Sequence, residues 1–228
     1  MAMRLDNVVP FGRSFDEYVK MFSLTEFDLS QSILSVADGP ASFNAEGTKQ
    51  GYHIQSLDPL YAFEAQDIRA RFYAVRDDII QQVKETPDDW VWRYHASADE
   101  LQRRRTQVTE MFAADYAAGK REGRYTTGSL PHLPYADGAY DLGLCSHFLF
   151  LYSAQLDADF HVDAITQLLR VCKTVRIFPL LTLMGARSPH LEVVIQHFEK
   201  EGIICQVIPV EYELQKGGNE MLTLAHCI

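Results

Sequence analysis

Hydrophobic residues recur along the chain with two periods, and the points where one gives way to the other divide it into alternating strands and helices. Ser32-Ile33-Leu34-Ser35-Val36-Ala37 is a short, mostly apolar run rich in β-formers, the pattern of a strand buried on both faces. It runs into Asp38-Gly39-Pro40-Ala41-Ser42, a turn of small residues where backbone can approach a ligand closely. Residues 43–50 have the length of a short helix, and Gly51 is placed to stop it. A second strand, Tyr52-His53-Ile54-Gln55-Ser56-Leu57, ends at Asp58 and Pro59. The unit is βαβ, with a carboxylate 19 residues after Gly39. Nucleotide-binding α/β sheets hydrogen-bond ribose hydroxyls with an acid about 20 residues past the glycine turn. Gly39 is the only glycine of this turn, however, and such units also occur in α/β proteins that bind no nucleotide.

Ahead of this unit, Ser14-Phe15-Asp16-Glu17 is a capping box and predicts a helix over residues 15–22, with Phe15, Val19 and Phe22 on one face. After Asp58 the next strand, at residues 123–127, begins some 65 residues on, a long crossover. Ala65, Ile68, Phe72, Val75, Ile79 and Val83 mark an amphipathic helix that Pro87 breaks, and Trp90 and Trp92 open an aromatic stretch. A second capping box at Ser97 starts another helix, with Gly119 at its end. The material at about 60–96 leaves the carboxyl end of the second strand, which makes it a candidate lid. A fourth strand at residues 140–145 opens into Ser146-His147, and a helix over 158–171 precedes a fifth strand at 174–178. Ser188 and Pro189 predict a helix start, with Gly202 after its end. Strands at 203–210 and 221–227, joined by a polar turn, place an antiparallel strand beside an otherwise parallel sheet.

The fold class expected is α/β: a Rossmann-like doubly wound sheet, mostly parallel with an antiparallel terminal strand, plus helical cap elements. An N-terminal helical segment (1–30), a lid candidate, would precede the α/β domain (31–228). At 47% hydrophobic residues the chain can bury a real core. A net charge of −10 argues against nucleic acid as a partner, and Arg103-Arg104-Arg105 fans around a helix as a solvated cluster. No signal peptide or membrane-spanning run is visible. Cys145, Cys172, Cys205 and Cys227 are widely spaced in apolar segments and read as buried thiols of a cytoplasmic protein.

Leu133-Pro134-Tyr135-Ala136-Asp137-Gly138-Ala139-Tyr140-Asp141-Leu142, with the turn at residues 36–41 and Asp58, resembles the class I S-adenosylmethionine-dependent methyltransferases over about residues 33–228. The resemblance implies S-adenosyl-L-methionine as cofactor. Gly39 would lie against its methionine part, Asp58 on the ribose hydroxyls, Ser129 near the adenine, and Ser146 and His147 beside the sulfonium and the methyl acceptor. The usual first-strand acid is replaced by Ser35, so that Asp38, inside the turn, is the candidate substitute. The absence of an Asn-Pro-Pro-Tyr signature and the acidic charge point to a small-molecule acceptor, with the oligomeric state left open.

Methyl transfer asks mainly for alignment, with a base only where the acceptor loses a proton. His147 is the candidate base or a structural hydrogen-bonder, His161 reads as structural, and His132 is an outside candidate. Arg13 and Tyr18 either fold over the cofactor or an anionic substrate, or are a surface charge and a packed ring. Trp90 and Trp92 are pocket wall or cap core, and Asp137 and Asp141 are turn and strand-start residues. Two other functions compete with methyl transfer: a nicotinamide-dependent Rossmann oxidoreductase, and a methyltransferase-like domain that binds cofactor or a partner without turnover.

Overall fold

A computed structural model describes residues 9–227; residues 1–8, part of the N-terminal segment expected as a lid, and Ile228 lie outside the described residues. The elements follow in the order α1 (Phe15–Met21), α2 (Glu26–Leu29), β1 (Ser32–Val36), α3 (Phe43–Lys49), β2 (His53–Leu57), α4 (Ala65–Glu85), α5 (Ala98–Arg121), β3 (Tyr125–Thr126), β4 (Tyr140–Ser146), α6 (Ala158–Val171), β5 (Cys172–Phe178), α7 (Leu191–Lys200), β6 (Ile203–Pro209) and β7 (Glu220–His226). Short 3₁₀ turns at Pro59–Ala62 and Pro87–Asp89 flank α4.

The strands form one seven-stranded sheet in the order β3-β2-β1-β4-β5-β7-β6. β1 pairs in parallel with β2 and β4, and β7 is antiparallel to both its neighbours, β5 and β6. The fold is a Rossmann-like doubly wound sheet, mostly parallel with an antiparallel terminal strand, as the resemblance implied. Alternation along the strands assigns residues to its two faces. Leu34, Val36 and Cys145 pack on one face with the helix residues Ile165 and Leu168, whereas Ile33, Leu142 and Leu144 pack on the other with Tyr18, Phe22 and Phe43. The strand order reverses between β1 and β4, the position at which doubly wound sheets leave a crevice at their carboxyl ends. The Pro-Tyr-Ala-Asp-Gly segment serves structure here: Arg170 pairs with Asp137 at 2.7 Å, and Asp141 accepts from Ser32 Oγ at 2.7 Å, pinning the start of β4 to β1.

Several sequence expectations are corrected. Gly119 lies inside α5, not at its end: a Cβ there would fall 2.4 Å from the Tyr125 ring, so close packing selects it, and Gly123 (φ +78°) follows the helix instead. α7 begins at Leu191 rather than at Pro189, because the Ser188 hydroxyl is engaged by Ser153 at 2.7 Å and accepts from the His190 N–H within a preceding turn. Cys227 is exposed. Arg105 is buried, although its neighbours Arg103 and Arg104 pair outside with Glu100. Successive helix residues are turned by about 100°, so one of three adjacent arginines can face inwards. No helix among the described residues is long and apolar enough to cross a membrane.

α1 is part of the core. Glu17, Tyr18 and Met21 are fully buried and Phe22 beyond them likewise, whereas Phe15 and Val19 of the expected apolar face are only half-buried. The chain before it lies across the glycine turn: Arg13 O accepts from Ser42 N, and a Cβ on Gly12 would sit 2.2 Å from Pro40 O. Only glycine permits that approach.

Candidate active site

A cavity of about 390 Å³ opens at the carboxyl ends of β1, β2, β4 and β5, a size suited to a small ligand. Its wall includes Asp38 and Gly39 after β1, Asp58 after β2, Ser129 beyond β3, Ser146 and His147 at β4, and Phe178 on β5. Arg13, from the segment over the turn, lines it as well. The fold thus brings seven of the eight sequence candidates to one cavity. Tyr18 is not among its lining residues. Its ring is stacked on Phe43 at 4.2 Å and its hydroxyl accepts from Ser35 Oγ at 3.3 Å, behind the first strand. Trp90 lines the cavity, whereas Trp92 packs into the core; neither His132 nor His161 lines it.

One end of the cavity is acidic. Asp58 is 6% exposed, and each of its oxygens accepts a backbone hydrogen bond, Oδ2 from Gly39 N at 2.9 Å and Oδ1 from Leu60 N at 2.8 Å. The carboxylate thereby ties the tip of β2 to the glycine turn and caps the following 3₁₀ turn, with a second lone pair on each oxygen left over. Asp38 accepts from Ser56 Oγ at 2.7 Å, and Tyr61 OH lies 2.7 Å from its other oxygen and 2.8 Å from Gly39 O. Burial, with Asp58 adding repulsion, pushes Asp38 up to about 7; burial pushes Asp58 up to about 6 against its two backbone donors. Gly39 has φ +53°, a conformation natural to glycine, while the space beside it would accept a Cβ.

The other end is basic, and sequence reasoning missed most of it. Arg105 of α5 grips Glu17 of α1 through two bonds of 2.7 Å, and Tyr212 donates to the same carboxylate at 2.9 Å. Glu17 also completes the capping box, accepting from Ser14 N at 2.9 Å. Burial alone would raise its pKa, but Arg105 and His95 hold it well below the usual carboxylate range. The sequence signal for Glu17 was the capping box, which gave no hint of a buried partner; Arg105 and Tyr212 carried none. His147 sits at φ +52°, its N–H donating to Phe178 O at 2.6 Å. Its Nδ1 lies 2.9 Å from Ser146 Oγ, which leaves Nε2 without a partner among the described residues. Burial, then Arg13 and Arg105, keep the imidazole well below its ordinary pKa, so it is neutral at physiological pH. Among the described residues no cluster of His, Cys, Asp or Glu is placed to hold a metal ion.

No family model matches the chain. The uncharacterized protein MJ0045 of Methanocaldococcus jannaschii is 33% identical over 223 residues, covering 97% of this chain and 98% of that protein. The chain belongs to the MJ0045 family. Among solved structures, the mitomycin 7-O-methyltransferase MmcR is similar over 93% of this chain and 54% of its own, at 13% identity and a TM-score of 0.48; this chain spans little more than half of its length. Magnesium protoporphyrin IX methyltransferase from Synechocystis PCC 6803 is similar over 93% and 78% of the two chains, at 11% identity and a TM-score of 0.48. A putative RNA methyltransferase from Pyrococcus horikoshii covers 93% and 81%, at 10% identity and a TM-score of 0.44.

Proposed function

We propose that this protein transfers the methyl group of S-adenosyl-L-methionine to a small-molecule acceptor. The observation that carries the reading is the acidic end of the cavity. Two buried carboxylates at the tips of adjacent strands flank a positive-φ glycine, at the edge where doubly wound sheets bind nucleotides. These residues suit a cationic donor bearing a ribose diol. Asp58 has lone pairs for hydroxyl donors, and Asp38 and Asp58 together supply negative charge. Ser129 stands exposed on the same wall. When bound, the cofactor supplies an activated methyl group with its own leaving group.

The chain's task is then to orient and to exclude water. The segment over the glycine turn closes the cavity with Val9, Phe11 and Arg13, and Phe148 and Phe178 bring apolar surface up to the end of β4. His147 takes the role of general base through Nε2 if the acceptor is a hydroxyl or amine. Being neutral, it can accept a proton, and being weakly basic it suits an acceptor whose proton is acidic. Calorimetric titration with S-adenosylhomocysteine and with NADH tests the reading. Binding of the first alone supports it, binding of NADH alone selects an oxidoreductase, and binding of neither selects a partner-binding module.

A further inference from the structure

The cavity is bipolar, and its basic end sets two guanidinium groups, Arg13 and Arg105, around a single carboxylate, Glu17. Arg105 is accounted for by Glu17 and Tyr212. Arg13 is not. One of its terminal nitrogens donates to the neighbouring Phe11 carbonyl, its Nε is buried without any acceptor, and it forms no ion pair among the described residues. Burial and the nearby Arg105 lower its pKa to about 10, and the opposing pull of Tyr212 and Glu17, which Arg105 already engages, does not offset them. Its electrostatic neighbours include His147 and Tyr152, at the β4 end of the cavity rather than at Asp58. A second cation, Arg71 of α4, lines the same cavity, lies over the Phe63 ring at 3.7 Å and likewise has no carboxylate partner among the described residues. Much of the remaining wall is aromatic and aliphatic, including Trp90, Phe148, Phe178 and Leu214.

We infer that the basic end of the cavity binds the anionic group of a small, apolar-bodied acid, with Arg13 as its receptor and the ring-lined wall around its body. The name acceptor for that acid rests on the methyl-transfer reading; the anion site itself does not. A carboxylate or phosphate offers a guanidinium the bidentate acceptor that Arg13 lacks. Arg71, exposed on α4, draws an anion towards the mouth of a protein whose net charge of −10 would otherwise repel it. A methyl acceptor held there lies on the side of His147 and Tyr152.

The test uses purified protein and pairs of ligands in which the anionic group is replaced by its neutral amide (4-hydroxybenzoate with 4-hydroxybenzamide, indole-3-carboxylate with its amide, octanoate with octanamide) or removed (phenyl phosphate with phenol). Each is titrated with and without saturating S-adenosylhomocysteine. At least one acid is expected to bind about tenfold or more tightly than its neutral partner. Arg13→Gln abolishes that preference while the S-adenosylhomocysteine dissociation constant and the melting temperature stay near wild type, and Arg13→Lys retains part of it. The carboxylate and phosphate pairs separate the two anion chemistries. If no acid outperforms its neutral partner, or if Arg13→Gln weakens S-adenosylhomocysteine to the same extent as the acids, the inference is overturned; in the second case Arg13 serves the donor's own carboxylate. If S-adenosylhomocysteine fails to bind the wild type, the methyl-transfer reading falls, and the acid–neutral comparison without it still decides the anion site.

Discussion

The two ends of the cavity are built by different means. The acidic end comes from one βαβ unit: Asp38, Gly39, Asp58 and Tyr61 lie within 24 residues of chain and hold one another through short bonds to neighbouring backbone and hydroxyls. The basic end is assembled from residues 13, 17, 105, 147 and 212, which meet only when the N-terminal segment, α5, the end of β4 and the approach to β7 are packed together. A local site forms with its strands; a dispersed one depends on tertiary packing. The acidic end should therefore yield to single changes in ligand affinity, and the Arg105–Glu17 pair at the centre of the basic end to changes in stability.

The largest effect is expected at the centre of the basic end. Removing Arg105 leaves Glu17 charged and buried, hydrogen-bonded only by neutral donors, with Arg13 as a nearby cation that does not touch it. Breaking a buried ion pair from one side costs about 3–5 kcal/mol. Arg105→Leu should lower the melting temperature by roughly 10 °C, at 2–4 °C per kcal/mol for a chain of this size. A double variant with Glu17→Gln should recover part of the loss, because no uncompensated charge remains. Equal losses in the single and double variants would show that packing, not charge, carries this contact.

His147 follows. Asparagine tolerates positive φ better than most residues, so His147→Asn keeps the turn while removing the imidazole base. With a hydroxyl or amine acceptor, turnover should fall ~10²-fold while S-adenosylhomocysteine affinity stays near wild type. Joint loss of affinity and melting temperature would make His147 a structural residue. Smaller again is Asp58→Ala, expected to weaken S-adenosylhomocysteine at least about tenfold in calorimetry, one charge-assisted hydrogen bond being worth about 1.5–3 kcal/mol. The protein should remain folded, with some loss of stability, because Gly39 N and Leu60 N lose their acceptor. An unchanged dissociation constant would confine Asp58 to holding the turn.

The contrast also explains what was legible in the sequence. The strands around the crevice, the Ser14 and Ser97 caps and the antiparallel last strand were visible because each is written in a local period or a short motif. Asp38, Gly39 and Asp58 were visible for the same reason. Arg105 was not: a run of three arginines looks solvated, and only the position of α5 against α1 decides which one turns inwards. Tyr18 misled in the opposite sense, since nothing local distinguishes a ring that faces a cavity from one stacked on Phe43 behind it. Tyr61 went unread because its hydroxyl reaches back 23 residues to Asp38.

The smallest and most diagnostic effect concerns charge at the acidic end. S-adenosylmethionine differs from S-adenosylhomocysteine by one methyl group and the sulfonium charge it creates, so the pH dependence of the ratio of their affinities reports negative charge near the sulfur. Burial, with Asp58 beside it, raises Asp38 to about 7. Asp38 is thus mostly ionised at pH 8 and mostly protonated at pH 5.5. The preference for S-adenosylmethionine should shrink by about threefold to tenfold over that range, a factor of ten being 1.4 kcal/mol. Stability should move with it. A carboxyl whose folded pKa exceeds its unfolded value contributes stability that is lost as pH rises through the folded pKa. Asp38→Asn, neutral throughout, should therefore melt higher than wild type at pH 8, with the gap closing towards pH 5.5, and should make the affinity ratio independent of pH. A ratio that is flat in the wild type would mean that the charge of Asp38 is not felt at the sulfur, leaving this aspartate to anchor Ser56 and Tyr61 beneath the glycine turn.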